Sequence, residues 1–162
     1  MKKKQLQTVM LSVGLGLAQI FSVASMAAES TIEEAADKSL EHSIAQRQHA
    51  FGQIERGVKQ AGKELKNKQV HWESLEQVSL ELHESSTSLL PLFPEGSQDG
   101  SKAKESVWQD KAKFDRLLHE MDKGFEQLYR AATNKDNTSA LQGLKQAQST
   151  CKSCHRQYRS RW

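Results

Sequence analysis

Proline is nearly absent from this chain: among 162 residues only Pro91 and Pro94 occur. Long helices can therefore run uninterrupted on either side of one short loop. β-Branched residues are sparse beside Ala, Leu, Gln, Glu and Lys, which favours helix. No apolar–polar alternation recurs, and no repeat of about 20–50 residues is present, which argues against sheet and solenoid folds. Cysteine occurs twice, at Cys151 and Cys154, so a four-cysteine zinc site has too few ligands. A surplus of one charge is missing as well. The whole chain carries 23 Lys+Arg against 20 Asp+Glu, but Lys2, Lys3 and Lys4 stand at the extreme N-terminus with no acid near them. Without those three lysines the balance is 20 to 20, which gives no footing for nucleic acid or an anionic membrane surface.

The three lysines open a recognisable leader. An apolar stretch follows from Val9 through Val23, interrupted by Gln19, and Ser25-Met26-Ala27 places small residues at the −3 and −1 positions of a cleavage site. Residues 1–27 read as a secretory signal peptide, cut after Ala27 or Ala28. The rival reading is an uncleaved anchor helix, against which the polar breaks and the small-residue end both count. The mature chain, 28–162, is long enough for one domain with a core and is expected outside the cytoplasm, in the periplasm, with no membrane contact after cleavage.

The sharpest local signal is Cys151-Lys152-Ser153-Cys154-His155. C-x-x-C-H is the spacing for covalent attachment of a c-type haem, one per motif, through two thioethers, with the adjacent imidazole as axial iron ligand. Such haems are attached outside the cytoplasm, which agrees with the leader. The competing readings are a strained i,i+3 disulfide and half of a zinc site. No acid/base constellation is visible beyond the haem pocket, so an enzyme is not expected.

Helical periodicity organises the rest. Ser30-Thr31-Ile32-Glu33 is a capping-box sequence and is expected to open the first helix, which carries Ala36, Leu40, Ile44, Phe51, Ile54 and Val58 on one stripe to about Gly62. Gly52, inside it, suggests room for a close neighbour, either a macrocycle or a second helix. A second helix is expected from about His71 to Leu90, ended by Pro91. A third is expected from about Lys102 to Ala132 with Val107, Trp108, Phe114, Leu118, Met121 and Phe125 inward. A fourth is expected from about Ser139 to Arg159, with Leu141, Leu144, Cys151, His155, Tyr158 and Trp162 as its core-facing stripe. Leu92 and Phe93 should anchor the loop between the second and third helices. His42, His71, His83 and His119 read as solvated or helix-terminal residues. The pattern predicts an all-α, antiparallel four-helix bundle with covalent haem on the C-terminal helix.

These features resemble the cytochromes c′, the class II c-type cytochromes. C-x-x-C-H at the C-terminal end of a four-helix pattern carries most of the likeness. Arg47-Gln48, Leu92-Phe93-Pro94-Glu95-Gly96-Ser97, Val107-Trp108-Gln109-Asp110 with Phe114, and Cys151 through Tyr158-Arg159 resemble further family signatures. Gln46 departs from the family, which often has Tyr there. The resemblance implies thioethers at Cys151 and Cys154 and iron ligation by His155. It also implies contacts of Arg47 and Gln48 with haem propionates or the pocket edge, Ser97 and Gln98 bordering the haem, and Arg159 near the proximal face.

In the related six-coordinate c-556 type, a first-helix Met closes the distal side. The matching position here is Phe51, which cannot ligate iron. His49 lies two residues earlier and about 200° around the helix, so it should point away. Met121 is expected to fill core space. The resemblance thus implies a five-coordinate, high-spin iron that binds NO and CO and is capable of electron transfer. The alternative is a six-coordinate, c-556-like electron carrier. A homodimer through the first two helices is expected by resemblance. Arg156, Arg159 and Arg161 complement the helix dipole, or form a docking patch for an acidic redox partner protein.

Overall fold

The computed structural model describes the backbone of residues 20–161 and the side chains of residues 33–161. Five α-helices are present among them: α1 (Ile20–Glu64), α2 (Trp72–Thr87), α3 (Ser106–Gln109), α4 (Lys111–Thr133) and α5 (Asn137–Tyr158). A single 3-10 turn covers Leu90–Leu92. The chain divides into two units at Lys38 and Ser39. In the first, residues 33–38 are exposed, and Lys38 pairs with Glu34 at 2.7 Å. The second is an antiparallel four-helix bundle, as expected, built from α1 after Ser39, α2, α4 and α5. The proposed leader falls mostly outside the described residues. Among the described residues, no helix is long and apolar enough to cross a membrane.

The core forms because each helix carries an apolar stripe. Ala50, Ile54 and Ala61 come from α1, Leu75 and Leu82 from α2, Phe114 and Phe125 from α4, and Leu144 and Ala147 from α5. Two close helix crossings depend on glycine. A Cβ on Gly57 would lie 2.8 Å from Leu82 Cδ2, so α1 and α2 meet there; at Gly52 the nearest atom is Arg56 Nη1 at 3.4 Å. Of the two neighbours expected at Gly52, the second helix makes its close approach at Gly57 instead. Between α4 and α5 the approach is backbone to backbone: a Cβ on Gly143 would stand 2.7 Å from both Gly124 O and Leu128 N.

Helix ends differ from expectation for local reasons. α1 runs straight through Ser30–Glu33; no proline or glycine lies between Gly16 and Gly52 to stop it. The third helix is split. Residues 102–104 pair with the chain leaving α5 through an Ala103–Arg159 bridge, with Lys104 N donating to Tyr158 O and Ser160 N to Lys102 O. Helix then starts only at Ser106 and is interrupted at Asp110, whose φ is −127° and ψ 47°. α4 ends in a left-handed Lys135, with Asp136 N donating to Ala131 O and Lys135 N to Ala132 O, a Schellman arrangement. Asp136 then caps α5 through Ser139 N at 3.1 Å, which moves the helix start ahead of Ser139.

Candidate haem-attachment site

α5 carries the attachment motif in its last two turns. Its buried stripe is Ala140, Gly143, Leu144, Ala147, Thr150 and Tyr158. Leu141, expected inward, is 45% exposed, because Gly143 and Ala147 take the contact with α4 and rotate Leu141 off it. Cys151 and Cys154 lie i,i+3 on one helix face, half-buried at the margin of the core with Phe51, Trp108 and Leu117. His155 sits one turn after Cys151 and is exposed rather than core-facing. Trp162 lies outside the described residues.

Both thiols are free. Cys151 Sγ donates to Ala147 O at 3.5 Å. Burial pushes the Cys151 thiol up. Burial, with Cys151 beside it, pushes Cys154 to about 11, so both stay protonated at neutral pH. Partial burial, then the Arg159 cation, holds His155 below its ordinary value, favouring the neutral imidazole that can ligate a metal. Among the described residues no group of three or more His, Cys, Asp and Glu could hold a metal ion, so the cysteines lack the partners a zinc site needs. Two thiols facing an apolar margin, with a neutral imidazole one turn along, fit covalently attached haem.

The other expected site residues divide into two groups. Arg47, on α1, is only 3% exposed. Its Nη1 donates to Leu92 O at 3.0 Å and Ser97 Oγ at 2.7 Å, and its Nη2 to Ser97 O and to Ser101 Oγ at 2.8 Å. Ser97 is buried, and its hydroxyl donates to Pro94 O at 2.8 Å. Gln98 is half-buried, and its carbonyl accepts from Ser101 Oγ at 2.8 Å. Phe51 is half-buried, one turn after Arg47. Gln48 is exposed, and its side chain bonds to none of the described residues. Arg159 is exposed and belongs with His155: both line a cleft of about 360 Å³ with Lys102, Arg156, Ser160 and Arg161.

A row of aromatic rings runs from one group toward the other, and it was not foreseen. Phe51 meets Phe93 edge-on at 6.4 Å, Phe93 meets Phe114 at 4.7 Å, and Phe114 meets Tyr158 at 5.2 Å. The sequence singles out Phe51 as the distal residue, Phe93 as a loop anchor, and Phe114 and Tyr158 as parts of the third-helix and haem-helix signatures, with nothing to link the four. Phe93 and Tyr158 stand within four residues of Ser97 and Cys154, but Phe114 is 16 positions from Gln98, so no local signal joins the row. Trp108 holds the same loop, its Nε1 donating to Pro94 O at 2.8 Å. His83 also departs from expectation: it is half-buried, with Nδ1 2.8 Å from Asp122 Oδ1, tying α2 to α4.

Comparison with known proteins agrees with this geometry. Residues 42–159 match the family described as Cytochrome C'. A cytochrome c' from Rhodopseudomonas palustris is 32% identical over 126 residues, covering 73% of this chain and 82% of that protein. The solved cytochrome c prime from Shewanella frigidimarina superposes with a TM-score of 0.69 at 28% identity, covering 75% of this chain and 96% of that one. A ferrous variant from Alcaligenes xylosoxidans with bound NO gives 0.69 at 19% identity, covering 76% and 97%. A family match across most of the bundle, on a chain whose two cysteines face the core margin, has one reading: this chain belongs to the cytochrome c′ family, whose members carry covalently bound haem c.

Proposed function

We propose that the mature chain is a periplasmic haem c protein that binds NO and CO at a five-coordinate, high-spin iron, with His155 as the one protein ligand, and that is capable of electron transfer. In this reading it binds and carries rather than catalyses. Haem c supplies the iron that takes a diatomic ligand. Cys151 and Cys154 hold the group, and His155 presents a neutral imidazole to it. The observation that carries the reading is Phe51: at the first-helix position where a six-coordinate relative has Met, this chain has a half-buried phenyl ring packed on Phe93.

Two facts about rival ligands support it. Met121 is 5% exposed in the core of α4. His49 is exposed on α1, while Arg47 and Ala50 turn inward. The NO-bound relative from Alcaligenes xylosoxidans points the same way. A phenyl cover offers no hydrogen bond, which disfavours O₂ relative to NO. A homodimer through the first two helices belongs to the same reading. The deciding experiment is the electronic spectrum of oxidised and reduced protein with and without NO. High-spin spectra that shift on NO addition are expected; low-spin spectra indifferent to NO would overturn the reading.

A further inference from the structure

We infer that Arg47 is a positioning residue for distal ligand entry: by clamping the loop from Leu92 to Ser101 it holds Phe93 against Phe51 and sets how readily Phe51 yields to an incoming diatomic ligand. This rests on the reading that Phe51 covers the iron.

All four terminal N–H bonds of the Arg47 guanidinium are committed to one loop, through Leu92 O, Ser97 Oγ, Ser97 O and Ser101 Oγ. No carboxylate among the described residues pairs with it, and burial lowers its pKa from the ordinary value. A buried cation needs hydrogen-bonding partners, and the loop supplies them to these four N–H groups by presenting its carbonyls and hydroxyls inward. Gly96 and Gly100 take left-handed conformations, φ 84° and 70°, that let the chain double back. The loop has no helix of its own between Phe93 and Ser106, so Arg47 and Trp108 are its principal side-chain anchors.

The clamp reaches Phe51 through one ring. The Arg47 guanidinium stands over Phe93 at 4.8 Å, and Phe51, i+4 on the same helix face, meets that ring edge-on. Behind Phe93 stands Phe114, 2% exposed, which leaves no space for retreat. Phe93 can move only if the loop moves, and the loop is held by Arg47. Space for Phe51 to swing aside is therefore set at Arg47, which need not touch the ligand.

The test is CO association by flash photolysis on the holoprotein, as a double-mutant cycle between Arg47→Gln and Phe51→Ala, with thermal unfolding in parallel. Arg47→Gln should speed CO association by roughly threefold to tenfold, the span that an off-rotamer penalty converts to. In the Phe51→Ala background the same change should alter the rate by less than about twofold, because coupled residues are not additive. Arg47→Lys, which keeps the charge but loses the fork, should fall between wild type and Arg47→Gln. If Arg47→Gln does not fold, Ser97→Ala combined with Ser101→Ala removes two acceptors and should move the rate in the same direction. An unchanged CO rate, or an equal acceleration with and without Phe51, would overturn the clamp while leaving the cover intact. A Phe51→Ala rate equal to wild type would instead overturn the cover, and the clamp with it.

Discussion

Burial of two thiols beside an exposed imidazole is an unusual arrangement for a helix end, and each residue makes a separate claim. Because Cys151 and Cys154 are the chain's only cysteines, Cys151→Ala with Cys154→Ala should abolish covalent haem. Extraction with acidified acetone checks this; pigment left on the protein would refute the assignment. Phe51→Met tests the distal side differently. It supplies a thioether on the half-buried α1 position and should shift the spectrum toward six-coordinate low spin, with a weak band near roughly 695 nm expected of Met/His ligation. A spectrum that stays high-spin would place Phe51 away from the iron. At this scale the candidate attachment residues are legible because C-x-x-C-H encodes its chemistry in five adjacent positions. Arg47 was legible as a site residue only by resemblance. Its commitment to Leu92, Ser97 and Ser101 depends on a loop some 50 positions along the chain, and no local pattern records that contact.

Among the elements, α4 and α5 are held closest, and glycine decides it. Gly143→Ala would drive a methyl group into the backbone of Gly124 and Leu128, so the helices must separate. Overpacking of this kind costs about 1–3 kcal/mol, readable as a lower urea midpoint. Gly62→Ala, in the last turn of α1, should do the opposite: its new Cβ would lie 4.0 Å from Leu144 Cδ2, an ordinary contact, and Gly→Ala at a backbone position Ala can adopt stabilises by roughly 0.4–1 kcal/mol. The α5 cap predicts a pH effect. Hydrogen bonds from Ser139 hold the Asp136 carboxyl below its ordinary value. A depressed folded pKa contributes stability above the unfolded carboxylate range and loses it as pH falls through the folded value. Asp136→Ala should therefore melt a few degrees below wild type at neutral pH, and the two melting curves should converge below about pH 4. The four long helices of the bundle and the loop position followed from periodicity and the two prolines, while the break that sets α3 apart from α4 did not. Helix ends did not, since Asp110 and the 102–104 segment respond to the strand-like tail after Tyr158. Likewise, Ser30–Glu33 would open α1 only in a chain already cut after residue 27 or 28.

For the whole molecule, a balance of 20 basic to 20 acidic residues once Lys2, Lys3 and Lys4 are set aside hides an uneven distribution. The Ala103–Arg159 bridge draws two distant segments together, so Lys102 joins Arg156, Arg159 and Arg161 around the cleft that contains His155. Nothing in the spacing of residues over 50 positions apart signalled this. Burial of acid partners does not offset it: Lys102, Arg156 and Arg161 form no salt bridge among the described residues, while Arg159 is within electrostatic reach of Glu55, which pairs first with Lys59 at 2.6 Å. Such a patch acts on a charged reagent over a Debye length, about 30 Å at 0.01 M salt and about 8 Å at 0.15 M. An anionic oxidant approaching the His155 side should be drawn in at low salt and released from that bias at high salt. Oxidation of the reduced protein by hexacyanoferrate(III) should accordingly slow by roughly tenfold between those salt concentrations, although basic and acidic residues balance once Lys2, Lys3 and Lys4 are set aside. Lys102→Glu with Arg161→Glu should flatten the salt dependence and leave CO association unchanged, because neither side chain lies in the Phe51–Phe93 contact. A salt profile that is flat for the wild type, or unaltered by the two reversals, would mean that electrons leave the protein by another face.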